Sequence, residues 1–141
     1  MASIVFDRYK ELLLGAQINH TSATLMVGLT ISMNATSTDS YWSDIISGSY
    51  AAQVTGTGYT DGGKLLVSRT VTQAAGEGQF DAADLTWSSA LVTAAQAVLY
   101  EWNSDPTAAT LIAAYDFGGW KVANNGDFTI QWGSEGLINT T

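Results

Sequence analysis

Cysteine is absent from the 141 residues, which excludes disulfide staples and thiolate metal ligands and leaves the redox compartment undetermined. Histidine occurs once, at His20 in a polar loop. A zinc site needs several His or Cys ligands, and a nucleophilic triad needs a base beside its serine, so neither is expected here. No Gly-x-Ser-x-Gly elbow and no glycine-rich phosphate loop occurs. Basic residues are few and scattered, at Arg8, Lys10, Lys64, Arg69 and Lys121, and the net charge is −8. Phosphate-backbone binding depends on clustered Lys and Arg, so no nucleic-acid partner is expected. No apolar run approaches the roughly 18 residues of a membrane span, so no membrane partner is expected either. Asp7, Arg8, Lys10 and Glu11 interrupt any signal-peptide core at the N-terminus. Proline occurs once, at Pro106, inside a turn from Asn103 to Thr107.

What remains is a chain rich in Thr, Ser, Gly and Ala with only 13% charged residues. Its surface is polar but weakly charged, suited to packing against a neighbour as well as to facing water. Residues 4 to 14 predict a helix, with Ile4, Val5, Phe6, Tyr9, Leu12 and Leu13 on one side, Ser3 as N-cap and Gly15 as stop. That helix either covers an open end of a β core or serves as an arm that docks on a partner. Thr24 to Met33 alternates as a strand, with Leu25, Val27, Leu29, Ile31 and Met33 on one face. After the polar loop from Asn34 to Ser40, Tyr41, Trp42, Ile45 and Ile46 mark a helical turn ended by Gly48. It plugs the core or presents an exposed aromatic contact.

Ala51 to Tyr59 is a weak edge strand, and Lys64 to Thr72 is a strand with Leu65, Val67 and Val71 on one face. A polar loop, Gln73 to Gly78, leads to strands at Gln79–Asp81, Asp84–Ser88 and Ala94–Trp102. Thr110 to Phe117 is small and apolar, as in a strand covered on both faces. Asp127 to Trp132 alternates strictly, and Gly118-Gly119 with Asn125-Gly126 predict a late hairpin or corner between the two. With no repeat and no linker, the expectation is one all-β domain, residues 1–141, of which 1–15 form an arm and helix. Its architecture is an antiparallel β-sandwich or jelly-roll-like barrel of about eight short strands.

Candidate sites for chemistry are weak. Asp81 and Asp84 are the only carboxylate pair worth weighing for acid/base work, and across a Phe-Asp-Ala-Ala-Asp turn they suit backbone capping better. Asp39, Asp44 and Asp61 lack calcium-loop spacing. Asn19, Asn34 and Asn139 stand in glycosylation sequons that a Thr-rich chain produces by chance. Trp102, Tyr115, Trp120 and Trp132 suit either a stacking platform for sugars or a core, and Trp120, between Gly119 and Lys121, is the best candidate for exposure. No catalytic residue, metal or cofactor is expected.

A set of landmarks recurs in order. Glu11-Leu12-Leu13-Leu14-Gly15 precedes Thr24-Leu25-Met26-Val27-Gly28-Leu29. Gly78-Gln79-Phe80-Asp81-Ala82-Ala83-Asp84-Leu85-Thr86-Trp87 precedes Ala97-Val98-Leu99-Tyr100. Leu111-Ile112-Ala113-Ala114-Tyr115-Asp116-Phe117-Gly118-Gly119 is followed by Asn125-Gly126-Asp127-Phe128-Thr129-Ile130-Gln131-Trp132 and Gly136-Leu137-Ile138. This order resembles a family of small structural proteins encoded among the virion genes of tailed bacteriophages. The likeness spans nearly the whole chain, is strongest from Phe80 onward, and is not carried by residues 34–59. It implies a virion component and leaves open capsid, neck or tail.

The acidity and weak charge favour a decoration (cement) protein on the outer capsid surface. The expected partners are the major capsid protein and further copies of the chain, a trimer being simplest at a site of local threefold symmetry. The alternatives are a neck or tail component, or a carbohydrate-binding adhesion module. The candidate partner interface comprises Ile4, Val5, Phe6, Tyr9, Tyr41, Trp42 and Trp120.

Overall fold

The computed structural model describes residues 3–32, 35–47, 53–74 and 76–140. In chain order the elements are β1 (Ile4–Val5), α1 (Asp7–Leu14), β2 (Leu25–Thr30), α2 (Trp42–Ile46), β3 (Lys64–Leu65), β4 (Thr70–Ala74), β5 (Glu77–Asp81), β6 (Leu85–Glu101), β7 (Thr110–Ile130) and β8 (Ile138–Thr140). They form a five-stranded sheet, β1-β7-β6-β2-β3, and a three-stranded sheet, β4-β5-β8, with every pairing antiparallel. The fold is therefore all-β and sandwich-like, as the alternation in the sequence implied. Met33, Asn34, Gly48, Ala51, Ala52 and Thr141 lie outside the described residues, so the expectations that fell on them have no counterpart here.

The central pair, β6 and β7, is built from runs that look separate in the sequence. Asp84–Ser88 and Ala94–Trp102 are the two ends of one 17-residue strand, which stops at Glu101. Thr110–Phe117 and Asp127–Trp132 lie at the two ends of a 21-residue strand, so the late hairpin does not form. The actual reversal is Asn103–Thr107, where Asp105 Oδ1 accepts from both the amide and the hydroxyl of Thr107 at 2.8 and 2.6 Å. Positive φ is used for bulges instead. Between the pairs Ala94–Lys121 and Gln96–Asp116, β6 contributes only Ala95 while β7 contributes Phe117, Gly118, Gly119 and Trp120. Gly118 and Gly119 take φ of 74° and 144° there. Asn125, at φ 57°, is a second extra residue, between the pairs Leu91–Asn124 and Ala90–Gly126.

The middle of this pair is covered on both faces. From Ala94 to Tyr100 and from Ala109 to Tyr115 every residue is buried, and the alanines leave room for a layer on each side. On one face, Tyr9 of α1, Phe80 of β5 and Leu137 join a core with Leu25, Leu99, Ile112 and Tyr115. On the other, Phe6, Ala35, Trp42 and Ile45 pack against Val98, Tyr100, Leu111 and Ala114. The Trp42 ring stacks on Tyr100 with centroids 4.7 Å apart and planes at 10°. Gly28 lets β2 pass beneath it, since a Cβ there would come within 2.6 Å of Trp42 Cη2.

Further expectations are corrected. Ile4 and Val5 are not helical but pair with Ala114 and Ala113, and β-branched residues suit that edge position. The helix starts at Asp7 with Phe6 at the N-cap, and Ser3 Oγ instead accepts from the Asp116 amide at 2.9 Å. Gly15 does end the helix, donating to Glu11 O at 3.0 Å. The stretch from Lys64 to Thr72 splits between the two sheets, and its buried residue is Leu66, whereas Leu65, Val67 and Val71 are exposed. Of the weak strand expected from Ala51 to Tyr59, the described residues form one bridge, Gln53 to Thr30. Ile31 lies just beyond β2 and faces solvent.

Gly63 tests the pairing at the sheet's far edge. At φ 87° its missing Cβ would sit 1.8 Å from Val27 O, a backbone atom that β2 cannot move without releasing β3. Gly63→Ala is expected to cost about 3 kcal/mol, from left-handed strain plus overpacking, measured by urea unfolding followed through tryptophan fluorescence. Gly118→Ala, where nothing lies within 4 Å, is expected to cost less, because only the strain applies.

Candidate docking surface

Of the residues predicted to meet a partner, most are consumed by the fold. Phe6, Tyr9 and Trp42 are buried, which removes them as surface contacts in this conformation. Their apolar spacing is the same for a core face as for a docking face, and tertiary packing decides between the two. Ile4 and Val5 are half-buried in β1. Tyr41 is half-buried, bridges Thr110, and caps α2, with Asp44 Oδ2 accepting from its amide at 2.9 Å. Trp120 is different, being 72% exposed.

The bulge explains that exposure. It lifts Trp120 from the β7 ladder and lays its indole toward the end of β2, where Nε1 donates to Ile31 O at 3.0 Å. The ring is thus tethered while most of it faces water. Near it, Ile31, Leu91 and Val122 are also exposed, Val122 at 68%. These three line a hollow of about 220 Å³ together with Gln53, Thr55 and Thr93. Apolar side chains clustered on one sheet face are a recognised mark of association surfaces. The hollow carries no charged residue.

A larger groove of about 650 Å³ runs along β7 past this cluster and shares Val122 with it. Its apolar wall includes Tyr115, Phe117, Phe128 and Trp132, and Lys121 and Asp127 also line it. Trp132 is held by its Nε1 on Ala83 O at 3.0 Å and lies 5.1 Å from Tyr115. Tyr115 OH donates to Leu137 O at 3.1 Å, and burial pushes its pKa far above the ordinary phenol range. The tyrosine is therefore a neutral structural donor.

The carboxylates weighed for chemistry serve the backbone. Asp81 Oδ1 accepts from the Ala82 amide and Asp84 Oδ1 from the Trp132 amide, both at 2.9 Å. Asp39 and Asp44 accept from loop amides at Thr36 and Ser40. Asn19 Oδ1 accepts from the amide and hydroxyl of Thr21, closing a turn. Among the described residues no group of three or more His, Asp or Glu side chains is placed to hold a metal ion. The sequence signal for the groove was faint, because Phe128, Ile130 and Trp132 read simply as one face of a strand. Comparison of the chain with known protein families, with curated proteins and with solved structures finds no match.

His20 ties α1 to the second sheet. Its Nε2 lies 2.6 Å from Tyr9 OH, and its ring lies 4.7 Å from Phe80. Desolvation, with the nearby Arg69 cation, lowers its pKa below the ordinary 6.5. The folded state therefore binds this proton less readily than the unfolded chain. The stabilising contribution is present above pH 6.5 and is lost as the pH falls toward the lowered folded value. Urea midpoints of the wild type are expected to decline over that interval more steeply than those of His20→Asn. Parallel slopes for the two proteins would remove His20 from the account.

Proposed function

We propose that this chain is a structural component of a tailed-phage virion, acting as a decoration protein on the outer capsid surface and assembling with copies of itself. The observation that carries the reading is the tethered, exposed Trp120 beside the uncharged hollow that Ile31, Leu91 and Val122 share with Gln53, Thr55 and Thr93. Tryptophans held in one conformation make strong contacts because little side-chain freedom is lost on docking. The resemblance of the landmark order to small phage virion proteins supports the phage setting, and the net charge of −8 supports a position away from packaged DNA. Such a protein stabilises a shell by mass action, since each bound copy adds buried area that exists only in the assembled state. The partners in this reading are the major capsid protein and the chain itself.

The tethered indole also favours a second reading, a carbohydrate-binding adhesion module with Trp120 as the stacking platform. Hydroxyl and amide groups of Thr93, Thr55 and Gln53 line the neighbouring hollow.

Density of the intact particle tests the first reading. Hundreds of copies on the shell are expected, and a dozen or fewer at a portal or tail would move the protein to the neck or tail. Trp120→Ala is expected to weaken particle binding at least tenfold while leaving the fold unchanged, because the ring is largely outside the core. A glycan array on which the wild type binds and Trp120→Ala does not would replace the capsid with a sugar.

A further inference from the structure

β7 does not run straight. Phe117 and Phe128 are 11 residues apart, a span of about 36 Å in an extended strand, yet their ring centroids lie 6.0 Å from each other. Tyr115 and Trp132 meet in the same way at 5.1 Å. The bulges at Gly118-Gly119 and Asn125 lie between the two halves and fold the strand back on itself. Each half pairs with β6 rather than with the other, so a cleft is left between them, the groove of about 650 Å³. Phe117 and Trp132 are partly buried against the core at this point, and the cleft therefore opens onto apolar side chains.

Its ring walls offer carbon, because Tyr115 OH and Trp132 Nε1 are turned to Leu137 O and Ala83 O. One cation stands on the same side. In the ladder Lys121 lies opposite Ala94, and Phe128 opposite Trp87, and both of those β6 residues are buried in the core that the cleft meets. Asn125 is an extra residue, so Asp127 projects from the other face of β7, where its carboxylate accepts from the Ser89 amide at 3.4 Å. The other four basic side chains are engaged. Arg8 and Lys10 pair with Glu11 and Asp7 at 3.0 and 2.8 Å, Lys64 donates to Thr86 O, and Arg69 donates to Ala23 O and Thr21 O. Lys121 is exposed and makes no ion pair or hydrogen bond among the described residues.

We propose that this cleft binds a small amphipathic carboxylate, its apolar body between the two aromatic pairs and its single negative charge at Lys121. An apolar slot with few polar groups, of this volume, has the make-up of a small-molecule site. Charge narrows the class. A chain of net charge −8 repels polyanions such as nucleotides, whereas one unpaired lysine matches one negative charge. With Asp127 turned to the other face, the same rings do not make a cage for a cation, which would face Lys121 instead. The inference stands apart from both readings of Trp120, which lies outside this lining. A protein that binds the carboxylate and never reaches a particle would end the phage assignment alone.

Isothermal titration calorimetry of the full chain tests it with decanoate, decanol and decyltrimethylammonium, each below its micelle or solubility limit. Amide and indole N–H shifts in nuclear magnetic resonance spectra locate the bound molecule. Decanoate is expected to saturate one site, about fivefold more tightly than decanol, the scale of one exposed ion pair, and to shift the Trp132 indole N–H. Lys121→Glu is expected to reverse that preference with an unchanged thermal midpoint, because the side chain is exposed. Phe117→Ala is expected to weaken decanoate and decanol alike, by about tenfold, through lost apolar contact. Three ligands that all fail to saturate overturn the proposal, as does a preference for decanoate that survives Lys121→Glu. Tighter binding of decyltrimethylammonium would overturn it in favour of a cationic ligand. Shifts centred on the Trp120 indole instead of Trp132 would move the site to the outer hollow and overturn it too.

Discussion

The pairing of β6 with β7 is the constraint on which the rest of the molecule depends. These strands supply buried residues to both hydrophobic clusters and join the two halves of the chain across a single short turn. Their middle is small and apolar, so it accepts a layer on each face. The Phe6–Trp42 layer and the Tyr9–Phe80 layer exist because there is a flat alanine-rich surface to receive them. Backbone hydrogen bonds in such a doubly covered ladder are shielded from water, and breaking one there leaves groups that find no replacement.

Towards the tip of the pair the second layer ends, and there the surface character changes. From Leu85 to Ala94 burial on β6 largely alternates, with Trp87, Ala90 and Val92 inward and Ser88, Leu91 and Thr93 outward. The bulges lie at or near this transition. A bulge lets a strand change register without leaving the sheet, and it re-aims the side chain beside it. The bulge at Gly118-Gly119 sets Trp120 on the solvent side, and the groove follows β7 on from there. Exposure of a large aromatic is thus a consequence of backbone geometry rather than of leftover hydrophobicity.

Electrostatics separates the two surfaces of this region. Four of the five basic side chains are committed within the chain, two of them in helix-surface pairs of little energetic weight and two to carbonyl oxygens that finish loops. The remaining one, Lys121, is exposed on β7 and has no ion pair or hydrogen bond among the described residues.

The sequence by itself determined the periodic features. Alternation made it all-β, the small apolar run from Thr110 foretold burial on both faces, Gly15 ended the helix, and the Asp105 turn reversed the chain. Those are local matters, set by side-chain spacing, backbone freedom and capping. Only the tertiary structure decided how positive φ would be used at Gly118-Gly119 and Asn125, because such a residue serves a hairpin or a bulge equally well. The choice went to the bulge because β6 is long enough to pair along the whole of β7. It alone decided too that Leu66 rather than Leu65 would be inside, since a period of two defines faces but not which one meets the core. For the same reason Phe6, Tyr9 and Trp42 became core while Trp120 became surface: hydrophobicity is a property of the residue, whereas exposure depends on what packs against it.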